Sequence, residues 1–254
     1  MHTYGQIIDL KAGVPYQQRV LLPLILHWRN ESAFVGQVAL LHFTAFPLWF
    51  VGLWIWLKRF GRYGLAVTLL SVVYIFLGLQ SWGAVNAWTV VEIVCMVWLL
   101  VLVDHDLAAY GLMALATVNR PFTGALLVLA YLLYHRDSRG IAAVLAWTGI
   151  YTGLLIVFPS NGWTMGEPIG KHLERNTNTF LWQGIGNSAC LLPLFGLAAV
   201  GWRRATTRLK LLVLVVPPYL LVLAFMATWY ESPRLVLTVY PLLGALVVVG
   251  LEER

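Results

Sequence analysis

Charge is what this sequence lacks most. Of 254 residues only 11% are Asp, Glu, Lys or Arg, while 60% are hydrophobic; an ordinary soluble domain carries about 25% charged residues. A water-solvated globule is therefore excluded. Cysteine is nearly absent too. Cys95 and Cys190 both lie inside apolar runs, with no CxxC or Cys/His cluster, which excludes a disulfide framework, a zinc site and an iron–sulfur site. The chain carries no G-x-S-x-G, H-E-x-x-H or P-loop sequence. "GIGNSAC" falls short of an intramembrane serine-protease motif, lacking the second small residue after the serine. No haem-like histidine spacing, no inverted repeat of the transporter kind and no cofactor motif is found. Residues 1–19 are polar and include Asp9, Lys11 and Arg19, so no cleavable leader is expected.

What remains is apolar run after apolar run. The expected class is all-α, a polytopic transmembrane helical protein of about eight or nine hydrophobic segments, several near the ~20 residues that a spanning helix needs. Residues 1–254 are expected to form a single integral membrane domain. Within it, 1–32 reads as an N-terminal loop or surface helix. The segments read as 33–57, 65–82, 84–103, 107–118, 121–134, 141–158, 180–201, 211–229 and 235–251, with a polar loop at 159–179. Basic residues cluster at segment ends ("KRFGRYG", "HRDSRG", "WRRATTRLK"), so the net charge of +6 signals topology and lipid headgroups, with no nucleic-acid partner. Trp28, Trp82, Trp163, Trp202 and Trp229 lie near segment ends, as interfacial belts require.

With the basic loops and the C-terminus placed in the cytoplasm, 1–32 and 159–179 are extracytoplasmic. This parity requires 107–134 to run out and back as a broken or re-entrant pair. Its apex is Asn119-Arg120-Pro121, because proline disfavours helix at the residue before it. Irregular backbone at membrane depth is tolerated where it lines a protein-enclosed or watery cavity, and an intramembrane arginine marks a candidate site. The competing expectation is one long tilted helix with Arg120 snorkelling to the interface.

Polar groups then collect on the outer side. They are Asp9, Tyr16 and Arg19; Glu92; Asn119 and Arg120; His172 and Arg175 in the long loop; and Glu231 with Arg234 in "YESPR". Arginines converging with carboxylates suit a lipid-linked phosphate, since the guanidinium fork matches phosphate oxygens. Each has a plainer role. Glu92 can simply neutralise Arg120, Glu231 and Arg234 can form a surface pair worth little, His172 can be solvated, and His42 can hydrogen-bond within the packing.

Three segments, "GVPYQQRVLLPLI", "LMALATVNRPFTGALLVLAYLLYHR" and "ESPRLVLTVYPLL", resemble in this order segments of bacterial GT-C-type polytopic glycosyltransferases. The resemblance implies a helical core in the bacterial inner membrane and a polyprenyl-phosphate-linked sugar as donor at the extracytoplasmic face. It implies Asp9 as catalytic base, Arg19, Arg120 and Arg234 at the donor phosphate, and Glu231 orienting Arg234. In such proteins a span precedes the first outer loop, whereas this sequence opens within that loop; their paired acidic motif is reduced to Asp9, and Pro121 stands where an acidic residue is common. The alternative is a non-catalytic membrane subunit that binds a lipid or a partner membrane protein.

Overall fold

The computed structural model describes residues 21, 31–80, 87–158, 170, 173–174, 176–178, 181–226 and 232–252. Its elements are all helical; no strand occurs among the described residues. In chain order they are α1 (Glu31–Leu57), α2 (Gly64–Gln80), α3 (Ala87–Val101), α4 (Asp106–Asn119), α5 (Pro121–His135) and α6 (Ser138–Val157). There follow α7 (Leu181–Ala189), α8 (Leu192–Arg204), α9 (Thr207–Val213), α10 (Val216–Met226), α11 (Ser232–Val236) and α12 (Tyr240–Leu251). The chain divides into two compact units, residues 1–49 with 86–165, and residues 50–85 with 166–254.

Among the described residues two helical stretches can cross a membrane by length and apolarity, Gly36–Leu57 and Ser138–Val157. Leu181–Ala189 with Leu192–Arg204 makes a third if the bent pair counts as one span. The other apolar helices are shorter; at ~1.5 Å rise per residue, twelve to seventeen residues fall short of ~30 Å. The surface of α6 argues for lipid. It turns Gly140, Ala143 and Leu154 inward, while Ile141, Leu145, Leu155, Ile156 and Val157 are exposed. A helix in water does the reverse, and a contiguous exposed apolar face of this kind marks a surface meant for something other than water.

In the first unit, α3, α4, α5 and α6 pack on one another. The expected break falls at the expected place. Arg120 is extended (φ −160°, ψ 107°), and Pro121 opens α5, where the missing N–H costs nothing. The two helices fold back as a hairpin. Gly124 of α5 lies so close to α4 that a Cβ there would sit 2.7 Å from Thr117 Cα. Further along, Tyr131 donates to the Asp106 carboxylate at 2.7 Å. One long tilted helix is thereby replaced by two antiparallel halves.

The second unit is built around α12, whose residues Tyr240 to Val248 are all buried. Helix α8 meets it backbone to backbone at Gly201 and Gly250. Helix α2 is tied on by Tyr240 Oη donating to Val67 O at 2.7 Å, and the C-terminal end of α1 by Trp56 Nε1 donating to Pro241 O at 3.0 Å. Three expected segments are interrupted: 180–201, 211–229 between α9 and α10, and 235–251 between α11 and α12. The run 180–201 bends by 44° between α7 and α8, with a proline in the first turn of α8. The helix expected from 211 already starts at Thr207, because Thr206 accepts the Leu209 N–H at 3.3 Å and caps it.

Candidate functional site

The polar centre of the first unit stands at the hairpin tip. Helix α3 carries Trp88, Thr89 and Glu92 within its first two turns, all buried, and the 88/92 spacing places Trp88 and Glu92 on one helical face. Helix α4 ends in Asn119, which is fully buried. Asn119 Nδ2 donates to the Trp88 carbonyl at 3.0 Å. This fixes the amide and leaves Asn119 Oδ1 buried with no hydrogen-bond partner among the described residues.

Arg120 joins the two helices through its backbone. Its N–H donates to Ala116 O at 2.7 Å, and its carbonyl accepts from Thr123 N at 2.9 Å and Gly124 N at 3.1 Å. The last turn of α4 and the first turn of α5 are thus both satisfied by one extended residue. Trp147 of α6 closes over the turn, donating to Pro121 O at 3.4 Å. The backbone being committed in this way, the guanidinium swings toward α3, where Nη1 donates to Glu92 Oε1 at 2.8 Å. The Glu92 side chain is 1% exposed and that of Arg120 21%, so the carboxylate is sealed while an edge of the guanidinium stays reachable.

Of the residues singled out from the sequence, Glu92, Asn119 and Arg120 are brought together here. Asp9, Tyr16, Arg19, His172, Arg175 and Glu231 lie outside the described residues. Arg234 has its backbone in α11, and its side chain is likewise outside them. His42 Nδ1 hydrogen-bonds Val38 O one turn back at 2.7 Å.

A second polar cluster, which the sequence reading did not assemble, lies at the far end of the hairpin. Asp106 accepts from Tyr131 at 2.7 Å, and Arg139 Nη1 stands 3.5 Å from it. Tyr134 donates to Asp104 at 3.2 Å, and His135 Nε2 hydrogen-bonds Val103 O at 2.8 Å. The signal for it was present: folding the sequence about Arg120 sets Asp106 opposite the 131–135 turn. The Asp106 carboxyl is held below the usual carboxylate range, first by the Tyr131 hydrogen bond and also by the Arg139 and His135 charges. No group of three or more metal-ligating side chains forms among the described residues.

Chemically, the tip offers one reachable cationic fork backed by a buried carboxylate, and one buried acceptor. That suits holding an oxyanion. Comparison with protein-family models, curated proteins and solved structures gives no match for this chain.

Proposed function

We propose that the chain is a polytopic protein of the bacterial inner membrane that resembles the GT-C glycosyltransferases and binds a polyprenyl-phosphate-linked sugar at the extracytoplasmic face. In this reading the C-terminus is cytoplasmic, and Arg120 meets the donor phosphate. The observation that supports it is the partly open guanidinium held at a helical break by a sealed carboxylate, since a fixed cation in a low-dielectric setting favours an anion without reorganising. Transfer would proceed by inversion. Asp9 takes the acceptor hydroxyl proton, the oxygen attacks the anomeric carbon, and the bond to the phosphate oxygen breaks. Arginines at positions 19, 120 and 234 then stabilise the departing polyprenyl phosphate.

A second reading has its own observation. Glu92 already cancels the Arg120 charge at 2.8 Å, as a purely structural pair would, and this favours a non-catalytic membrane subunit binding a lipid or a partner protein. Mass spectrometry of lipids that co-purify with gently extracted protein separates the two. Polyprenyl phosphate or its glycosylated form, retained by wild type and lost from Arg120→Ala, supports the donor site; a transfer assay on Asp9→Asn then tests the base. Bulk phospholipid alone in both, with a second protein in stoichiometric amount, supports the subunit.

A further inference from the structure

The second unit carries a concentration of positive charge that the proposed donor site does not use. Lys58, Arg59 and Arg62 follow directly on α1, whose apolar span ends at Leu57. Arg203 and Arg204 end α8, the last residues of the bent apolar pair, and Arg208 and Lys210 lie in α9. The fold gathers these three stretches at one place. The Arg62 backbone N–H and guanidinium both reach the Glu252 carboxylate. Arg204 Nη1 donates to Gly250 O at 3.3 Å and Glu252 O at 3.4 Å. The C-terminal ends of α1, α8 and α12 therefore meet beneath a basic collar.

Compensation of helix dipoles accounts for part of this collar. Three C-terminal ends carry roughly half a negative charge each, and Arg204 caps two of the carbonyls directly. Among the described residues the Glu252 carboxylate pairs with Arg62. Against these stand seven cations, of which Lys58, Arg59, Arg62, Arg203, Arg204 and Arg208 are exposed. By sequence the stretches 58–62, 203–210 and 252–254 carry eight basic residues against two glutamates, and two candidate spans end beside the first two, where the headgroups of a bilayer would lie.

Aromatic rings hold the cations at that level. Lys58 Nζ lies 4.9 Å from the Trp54 ring centre and Arg59 5.6 Å from that of Trp56. Arg62 is 5.0 Å from the Tyr63 ring and Lys210 Nζ 5.9 Å from the Trp202 ring. Exposed Trp54 and Trp202 are amphipathic side chains of the kind enriched at membrane interfaces.

We infer that this collar is a binding surface for anionic phospholipid headgroups, whose phosphates are drawn to the excess cations while their acyl chains lie along the exposed faces of α1 and α8. Charge complementarity favours a lipid, because the cations follow on directly from apolar helix ends. The collar belongs to residues remote in sequence from Arg120, so it stands or falls independently of the donor-site reading.

The test is native mass spectrometry of the full chain in detergent, titrated with phosphatidylglycerol and with phosphatidylcholine of the same acyl composition. Wild type should prefer phosphatidylglycerol, and the preference should drop about five-fold per collar charge removed. Lys58→Gln/Arg203→Gln leaves the Arg62 and Arg204 contacts to Glu252 and Gly250 in place, and should lose the preference while binding phosphatidylcholine as before. Equal affinity of wild type for the two lipids, or an undiminished preference in this variant, overturns the inference. Should the variant misfold, a salt titration of wild type decides: preference abolished near 1 M salt, where the Debye length is about 3 Å, supports the collar, and preference indifferent to salt refutes it.

Discussion

Replacing Gly201 with alanine puts a methyl group where the Leu246 carbonyl already stands. A Cβ at Gly201 would lie 1.8 Å from Leu246 O and 2.6 Å from its carbonyl carbon. The closest comfortable C···O approach is about 3.3 Å, so α8 and α12 must separate by about 1.5 Å. The obstacle is backbone inside a helix and cannot rotate away. Overpacking of this kind costs about 1–3 kcal/mol, and the upper end applies here. Alanine's better helix propensity returns about 1 kcal/mol, leaving a net loss of about 2 kcal/mol. Gly196, on the same helix, has nothing within 4 Å of its would-be Cβ, so Gly196→Ala keeps the propensity gain alone. The two variants should therefore differ by about 3 kcal/mol, or about 6–12 °C in Tm for a chain of this size. Thermal unfolding in one detergent, followed by tryptophan fluorescence or by loss of the monodisperse elution peak, reads the difference. Equal Tm values for Gly201→Ala and Gly196→Ala would refute the backbone contact on which the second unit is built.

Other consequences follow from the same physics. Arg120→Gln takes the ion-pair partner from a carboxylate that is 1% exposed, and Glu92→Gln takes it from a guanidinium that is 21% exposed, so the first should destabilise more, within the 3–5 kcal/mol range for breaking a buried pair. The double variant should recover at least about 1 kcal/mol of the summed loss, and strict additivity in a double-mutant cycle would deny the coupling. Tyr240→Phe removes the buried bond to Val67 O and should cost about 1 kcal/mol, seen as a lower Tm; an unchanged Tm counts against it. Because Asp106 is ionised more readily in the folded chain, its contribution is complete above the unfolded carboxylate value of about 3.9 and disappears as pH falls through the lower folded value. Asp106→Asn should accordingly flatten the acid limb of a Tm-versus-pH curve, and parallel curves for variant and wild type would contradict the Tyr131–Asp106 contact.

Much of the helical framework was legible because its punctuation is chemical. Pro121 both ends α4 and opens α5, and the residue before a proline is pushed to extended backbone, which is what Arg120 adopts. Segment ends at Lys58, at "DHD" and at "HRDSRG" were marked by charge. The bend between α7 and α8 was not legible, because the run stays apolar through Cys190 and Leu191, and hydropathy does not register a change of axis. The start of α9 was hidden inside a basic stretch, since the capping role of Thr206 outweighs the charge that makes "WRRATTRLK" look like a loop. At the site, the Glu92–Arg120 pair followed from two opposite charges that apolar surroundings force together. The Asn119 bond to the Trp88 carbonyl could not be read, because a backbone acceptor leaves no trace in the residue letters.

The proposed activity requires the hairpin tip to hold a lipid-linked phosphate. The most direct measurement is photo-crosslinking of the full chain in nanodiscs with a photoactivatable polyprenyl phosphate, followed by peptide mapping. Adducts confined to the 88–92 and 119–124 stretches, displaced by excess polyprenyl phosphate and reduced in Arg120→Gln, are the expected result. Adducts spread along the exposed faces of α1 and α6, and not displaced, would contradict it and leave Arg120 as the brace of a structural turn.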